Sequence, residues 1–203
     1  MRHVITTLDL PASGDFKVPR GSIITPSARD LAAARGVRLI EVADDQLPAA
    51  PPDKRIALGS DHGGFHLKED LLGRLKAEGH DVMDFGAHNL LPGDDYPDFV
   101  IPLAQAVAQG KVQRGVAVCG SGVGAEVCAN KIPGVRAGLI GDHFSARQGV
   151  EDDHMNVLCM GGRTIGPEAA WEFVETYLAS EFSQAERHLR RLSKVAALEE
   201  VTK

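Results

Sequence analysis

The residues best placed to do chemistry are Cys119 and the loop behind it, Gly120-Ser121-Gly122-Val123-Gly124, at the end of the apolar run Gly115-Val-Ala-Val. Such a run fits a buried strand, and a helix-like segment starts at once after the glycines. Glycines let a ligand approach the backbone closely, and free N–H groups at a helix start point toward an anion. A thiol beside them can have its thiolate form stabilised. Taken alone, Cys119 is a small buried hydrophobe. With three glycines around it, it reads as a proton-transfer group at the mouth of an oxyanion-binding loop.

The same loop has a second reading as a nucleotide cradle. Its glycines fall as GxGxG rather than GxGxxG, and no lysine follows them in the phosphate-loop pattern. Asp142 stands about twenty residues on, where a ribose-binding acid belongs. The strand before the loop is not the first of its domain, however, which counts against a dinucleotide site. Zinc has little support: His62 and His66 are separated by a glycine pair, and no HExxH pattern occurs. The expectation is a site with neither metal nor cofactor.

The chain has 203 residues, 43% hydrophobic and 25% charged, enough for one full core and a small appendage. A formal charge of −6 argues against a nucleic-acid or anionic-membrane surface, so the basic residues that matter must be clustered locally. No apolar run long enough to cross a membrane and no signal-peptide core are present. Three cysteines without CxxC spacing fit a reducing cytoplasm, with Cys128 and Cys159 as packing residues.

Ala43-Asp-Asp-Gln-Leu-Pro-Ala-Ala-Pro-Pro-Asp53 has the composition of an exposed linker and divides the chain into modules at 1–42 and 54–203. In the second module strand-like runs at 55–59, 81–85, 115–119, 135–140 and 156–160 alternate with helix-like stretches at about 64–78, 98–109, 122–131, 144–151 and 167–179. A last helix-like stretch lies at about 184–201. Such alternation predicts an α/β fold with a five-stranded parallel sheet covered on both faces and ligands at the carboxyl ends of the strands. Those ends are Ser60-Asp61-His62-Gly63-Gly64, Cys119-Gly120-Ser121-Gly122 and Gly161-Gly162-Arg163. Singly, Asp61 reads as a helix cap, His62 as a loop residue and Arg163 as a surface cation. Together they bring an acid, an imidazole, a thiol, a hydroxyl and a guanidinium to one edge.

Residues 55–200 resemble the type B ribose-5-phosphate isomerases and the related galactose-6-phosphate isomerases. The stretches that carry the likeness are Gly59-Ser-Asp-His-Gly-Gly-Phe-His-Leu-Lys68, Asp94-Asp-Tyr-Pro97, Cys119-Gly-Ser-Gly-Val-Gly124, Ala129-Asn-Lys-Ile-Pro-Gly-Val-Arg136, Met160-Gly-Gly-Arg163 and Arg187-His188-Leu-Arg-Arg191. The resemblance implies a Rossmann-like three-layer sandwich and a homodimer with active sites at the subunit interface. It also implies metal-free aldose–ketose isomerisation of a phosphorylated sugar through a cis-enediolate. On this likeness Cys119 is the base, Ser121 holds it or the substrate, and the N–H groups around Gly120, Gly122 and Gly124 face the enediolate. Asp61 binds sugar hydroxyls and His62 sits near the phosphate. Arg163, Arg187 and Arg191 are phosphate ligands, the last two reaching the neighbouring subunit's site with His188. Without the likeness, Arg187, Arg190, Arg191 and Lys194 read as the solvated face of a terminal helix.

One departure stands out. Where the family usually carries His-Asn, credited with ring opening and with contacting the reacting oxygens, this chain has Asp152-Asp153, followed by His154. An ionised carboxylate cannot donate to an enediolate and repels it. His154 restoring the imidazole, a protonated Asp153, an open-chain substrate and a non-catalytic sugar-phosphate-binding or assembly protein are all compatible with that change. The first module has a capped helix, Thr25-Pro-Ser-Ala-Arg-Asp-Leu-Ala-Ala-Ala-Arg-Gly36, and a strand, Val37–Val42, a small α/β extension. Ile23–Ala32 resembles segments of bacterial microcompartment proteins. That likeness implies a docking or assembly element for a shell or partner enzyme, and a cytoplasmic protein housed in a microcompartment; an added oligomer contact is the alternative.

Overall fold

The computed structural model describes residues 4, 5, 7, 10, 11, 13–43 and 55–200, so nearly all of the expected linker lies outside the described residues. The chain divides into two compact units, residues 1–50 with 189–203, and residues 51–188.

In the smaller unit β1 (Val4–Ile5) pairs in parallel with β3 (Ile23–Ile24), and β2 (Gly14–Pro19) with β4 (Val37–Val42). Helix α1 (Pro26–Arg35) begins as its sequence dictates: the Thr25 hydroxyl accepts from the Ala28 N–H, and proline fills the first turn where no donor is needed. Gly36 closes it at φ 66°, a left-handed cap. Ala28 and Ala32 turn one face of α1 onto Ile5, Leu10, Val18 and Val37, a small core. The last helix, α7 (Glu186–Glu200), was assigned from sequence wholly to the second module. From Leu189 on, it groups instead with residues 1–50, because Ser193, Ala196 and Ala197 lie beside Ser27, Asp30 and Ala34 of α1 across a groove of about 480 Å³.

The larger unit is built on strands with no polar face. In β5 (Arg55–Ser60) and β7 (Arg114–Cys119) every residue after the first is buried, as a parallel sheet covered on both sides requires. With β6 (Asp81–Asp84), β8 (Ala137–Leu139) and β9 (Val157–Gly161) they form one parallel sheet in the order β6-β5-β7-β9-β8. On one face Ile56, Leu58, Val116 and Val118 meet α2 (Phe65–Ala77), α5 (His143–Asp153) and α6 (Pro167–Ala179). On the other, Ala57, Ala117 and Cys119 meet α3 (Pro97–Ala108) and α4 (Val123–Ala129). This is the three-layer sandwich expected from the alternation.

The chain runs from β5 outward to β6 and then crosses back to β7 on the other side. Their carboxyl ends therefore diverge at a switch point, where a crevice opens in folds of this kind. The register places Ser60 beside Val118, and Cys119 beside Gly161. Asp61, Cys119 and Gly161 thus come to one edge.

Gly64 lets α2 start hard against β7: a Cβ there would lie 2.7 Å from the Val118 carbonyl. Backbone cannot move aside as a flexible side chain can, so Gly64→Ala is expected to destabilise the fold by about 1–3 kcal/mol, the usual cost of overpacking. Urea unfolding of the variant against the parent measures it; an unchanged midpoint would show that α2 retreats at no cost.

Candidate active site

At the end of β5 the Asp61 side chain is 7% exposed, and its Oδ1 accepts the Gly64 N–H at 3.1 Å. It caps the turn into α2, as a lone aspartate there would, and one carboxylate oxygen remains outside that bond. The next residue, His62, is tied to a loop from the far side of the sheet. Asp94 Oδ1, in the connection between β6 and α3, accepts the His62 backbone N–H at 2.9 Å and meets its ring Nδ1 at 2.6 Å. The sequence reading gave Asp94 no role of its own, although it lies in the Asp94–Pro97 stretch. Nothing short of the fold brings it to His62.

At the end of β7 the thiol of Cys119 is 4% exposed and accepts the Gly122 N–H at 3.1 Å. Gly122 is held at φ 83°, and a Cβ there would lie 2.7 Å from the Met160 carbonyl carbon, so the position excludes other residues on two counts. Among the described residues the Ser121 and Gly124 N–H groups have no acceptor in the chain, which leaves them for an oxyanion. Ser121 is exposed, with its hydroxyl 3.4 Å from the Val123 N–H. Cys159, by contrast, is wholly buried, and that burial, with Glu126 and the neighbouring thiols, pushes its thiol well up. Burial likewise raises the Cys128 thiol.

At the end of β9 the Gly162 N–H donates to the Cys119 carbonyl, and the Arg163 N–H to that of Gly120. The Arg163 side chain is exposed and passes over Gly120, and among the described residues it has no anionic partner. The structure thus gathers Asp61, His62, Cys119, Gly120, Ser121, Gly122, Gly124 and Arg163. Tyr96, which the sequence reading did not single out, closes the group with its ring 3.0 Å from a Cβ position on Gly124. Asp61, His62 and Asp94 hold ligand atoms within 4.8 Å of one another, the grouping with metal-binding spacing among the described residues. Asp142 serves as the cap of α5, accepting from the Ser145 N–H and hydroxyl at 2.8 Å each, which gives it a structural role of its own.

The remaining expected residues of this unit lie elsewhere. Asp152 and Asp153 end α5, and His154 caps it at φ 52°, just before β9 begins. They stand at the amino edge of the sheet, a strand length or about 16 Å from the carboxyl edge at about 3.3 Å per residue. Within one chain they do not reach Cys119. There the Asp152 carboxylate faces Nδ1 of His188 at 3.1 Å, with the Ser183 hydroxyl 3.2 Å from the same nitrogen. Arg187, exposed, is the neighbour of that buried imidazole. Arg191 belongs to the smaller unit and is also exposed. Within one chain the His154 ring likewise lies at the strand end opposite Cys119. Its ring is stacked on Phe182, centroids 4.6 Å apart, and its carbonyl accepts from Arg136.

A match to the family described as Ribose/Galactose Isomerase spans residues 56–195, and the chain belongs to that family. Its class is that of the sugar-phosphate isomerases. Ribose-5-phosphate isomerase B of Escherichia coli (strain K12) is 36% identical over 147 residues, 72% of this chain and 97% of that protein. D-erythrulose-4-phosphate isomerase of Pectobacterium atrosepticum is 36% identical over 127 residues, 63% of this chain and 84% of that protein. Among solved structures, Clostridium thermocellum ribose-5-phosphate isomerase B superposes with a TM-score of 0.71 at 39% identity, over 73% of this chain and 99% of that one.

His154 keeps exposed surface, but stacking on Phe182 withdraws its ring partly from water, and this, followed by the Arg136 and Arg114 charges, holds its imidazole down to about 4, from an ordinary 6.5. The native state thus resists a proton that the unfolded chain accepts at 6.5. This contribution to stability is complete above about pH 6.5 and is lost as pH falls toward 4. Proton NMR is expected to show the His154 ring titrating near 4, and His154→Gln to lessen the acid-side loss of stability. A midpoint near 6.5 would refute the assignment.

Proposed function

We propose that the protein interconverts an aldose phosphate and a ketose phosphate through a cis-enediolate, with Cys119 as the base. The observation that carries this reading is the Cys119 thiol held by the Gly122 N–H between two unengaged N–H groups and the guanidinium of Arg163. The thiolate removes the proton from the carbon next to the carbonyl and returns it to the neighbouring carbon. The Ser121 and Gly124 N–H groups take the charge that builds on oxygen, Asp61 accepts from sugar hydroxyls, and Arg163 binds the phosphate. Relatives named for five-carbon and four-carbon sugar phosphates make both sizes candidate substrates.

The reading includes a homodimer in which the amino-edge group of one subunit completes the other's site. What supports it is the pairing of Asp152 with His188 beside an exposed Arg187, which has no anionic partner among the described residues. An apolar surface also surrounds the Cys119 loop: Val123, Val127, Leu139 and Phe144 are each more than 40% exposed. A coupled assay over four-, five- and six-carbon aldose and ketose phosphates tests the activity. Cys119→Ala is expected to lower kcat by at least about a hundredfold, the usual weight of a general base, with the circular dichroism spectrum unchanged. Mixing Cys119→Ala with Arg187→Ala subunits is expected to restore one intact site per mixed dimer. A Cys119→Ala rate above a tenth of the parent's, or no complementation, removes the thiol or the sharing respectively.

For residues 1–50 the proposal is an assembly or docking element, in the cytoplasm and within a microcompartment, that acts on a shell or partner enzyme. In support, the family match begins only at residue 56. Deleting residues 1–50 is expected to preserve turnover and abolish association with the shell or partner in co-sedimentation. Lost turnover would assign the segment to the catalytic body.

A further inference from the structure

The carboxylate of Asp94 is 13% exposed, and its Oδ2 is buried without a donor, while Oδ1 serves two N–H groups of one residue, His62. Ion pairs on a surface loop do not look like this. A buried carboxylate accepts but does not donate, so the 2.6 Å contact places the ring proton of His62 on Nδ1. Nε2 is then the basic nitrogen, and among the described residues it has no hydrogen-bond partner. The unshared charge on Asp94 Oδ2 favours an imidazolium as it forms. The residue after His62 lies against the Cys119 loop: a Cβ on Gly63 would lie 2.9 Å from the Gly120 nitrogen. The other imidazoles of interest are differently placed, His154 at the opposite edge of the sheet and His188 only 1% exposed.

The geometry points to a carboxylate–imidazole dyad, Asp94–His62, that opens the ring of a cyclic sugar phosphate before the thiol acts. The inference rests on the isomerase reading above and adds a catalytic role for His62 and a positioning role for Asp94. A five-carbon aldose 5-phosphate closes through O4 to a hemiacetal, and its O1 hydroxyl and O4 ring oxygen share C1, within reach of a single nitrogen. Nε2 takes the O1 proton, C1=O1 forms as the C1–O4 bond breaks, and the same proton passes from the imidazolium to O4. No co-reactant is needed, and His62 ends as it began. A four-carbon aldose 4-phosphate has its O4 esterified and cannot close such a ring, so it bypasses the step.

The test is Asp94→Asn, which keeps the shape and removes the charge. Steady-state rates are measured on D-ribose 5-phosphate and D-erythrose 4-phosphate across pH 5 to 9. The expected result is a fall in kcat/KM at least tenfold larger on the five-carbon sugar, with the acid limb of its pH profile displaced. Equal losses on both sugars, or none, overturn the dyad while leaving the isomerase reading intact; a parent that turns over neither sugar overturns the dyad, and one inactive on six-carbon sugar phosphates as well overturns the isomerase reading. Long-range proton–nitrogen NMR of the histidines decides the tautomer without reference to activity. It is expected to show His62 protonated at Nδ1 in the parent and redistributed in Asp94→Asn, and a parent protonated at Nε2 alone also overturns the dyad.

Discussion

Backbone lying on backbone at the carboxyl ends of β5, β7 and β9 is the constraint on which the site depends. Cβ positions on Gly63, Gly64, Gly122 and Gly162 would each fall within 3 Å of main-chain atoms in a neighbouring loop. Contacts that close leave no room for rotamer adjustment, so each loop is positioned by the others rather than by its own turn chemistry. The hydrogen bonds from Gly162 to Cys119 and from Arg163 to Gly120 then lock β9's exit to β7's. The backbone that carries the thiol, the acid and Arg163 is thereby held in fixed relation without any direct bond among the side chains.

This arrangement separates the thiols by environment rather than by sequence. Cys119 and Cys159 occupy neighbouring strands on the same face of the sheet, toward α3 and α4. Cys159 sits two residues inside the edge, where burial disfavours charge. Cys119 sits at the edge itself, where the strand has ended and an N–H is aimed at its sulfur. A two-residue displacement along a strand, about 7 Å, divides a thiol enclosed by packing from one that meets a backbone donor at the edge.

The two edges of the sheet carry different charge patterns. At the carboxyl edge the acids Asp61 and Asp94 each take backbone or ring N–H donors, and Arg163 stays open. At the amino edge Arg114 is bonded to the Tyr177 and Ser180 carbonyls and Arg136 to those of Gly134 and His154, near the carboxylates of Asp152 and Asp153. The two guanidinium charges act on the imidazole nearest them, that of His154. An imidazole kept neutral there and one paired with a carboxylate at the other edge are chemically different groups, although both are histidines in loops.

The sandwich was legible in the sequence because strands buried on both faces must be continuous apolar runs, and Ile56-Ala-Leu58, Val116-Ala-Val118 and Val157-Leu-Cys-Met160 are such runs. The Thr25 cap, Pro26 and Gly36 marked α1 to the residue because capping chemistry is local. By contrast β2, Gly14-Asp-Phe-Lys-Val-Pro19, has no alternation to announce it and exists through its pairing with β4. Glycine spacing around Cys119 likewise marked a tight turn from strand to helix, since that property belongs to consecutive residues. The tertiary structure alone decided that Asp94 meets His62 across 32 positions, and that Asp152 and His154 stand at the edge opposite Cys119. The physical reason is one of range: caps, turns and strand burial are set by neighbours along the chain, whereas which carboxylate meets which imidazole depends on the order in which the strands assemble.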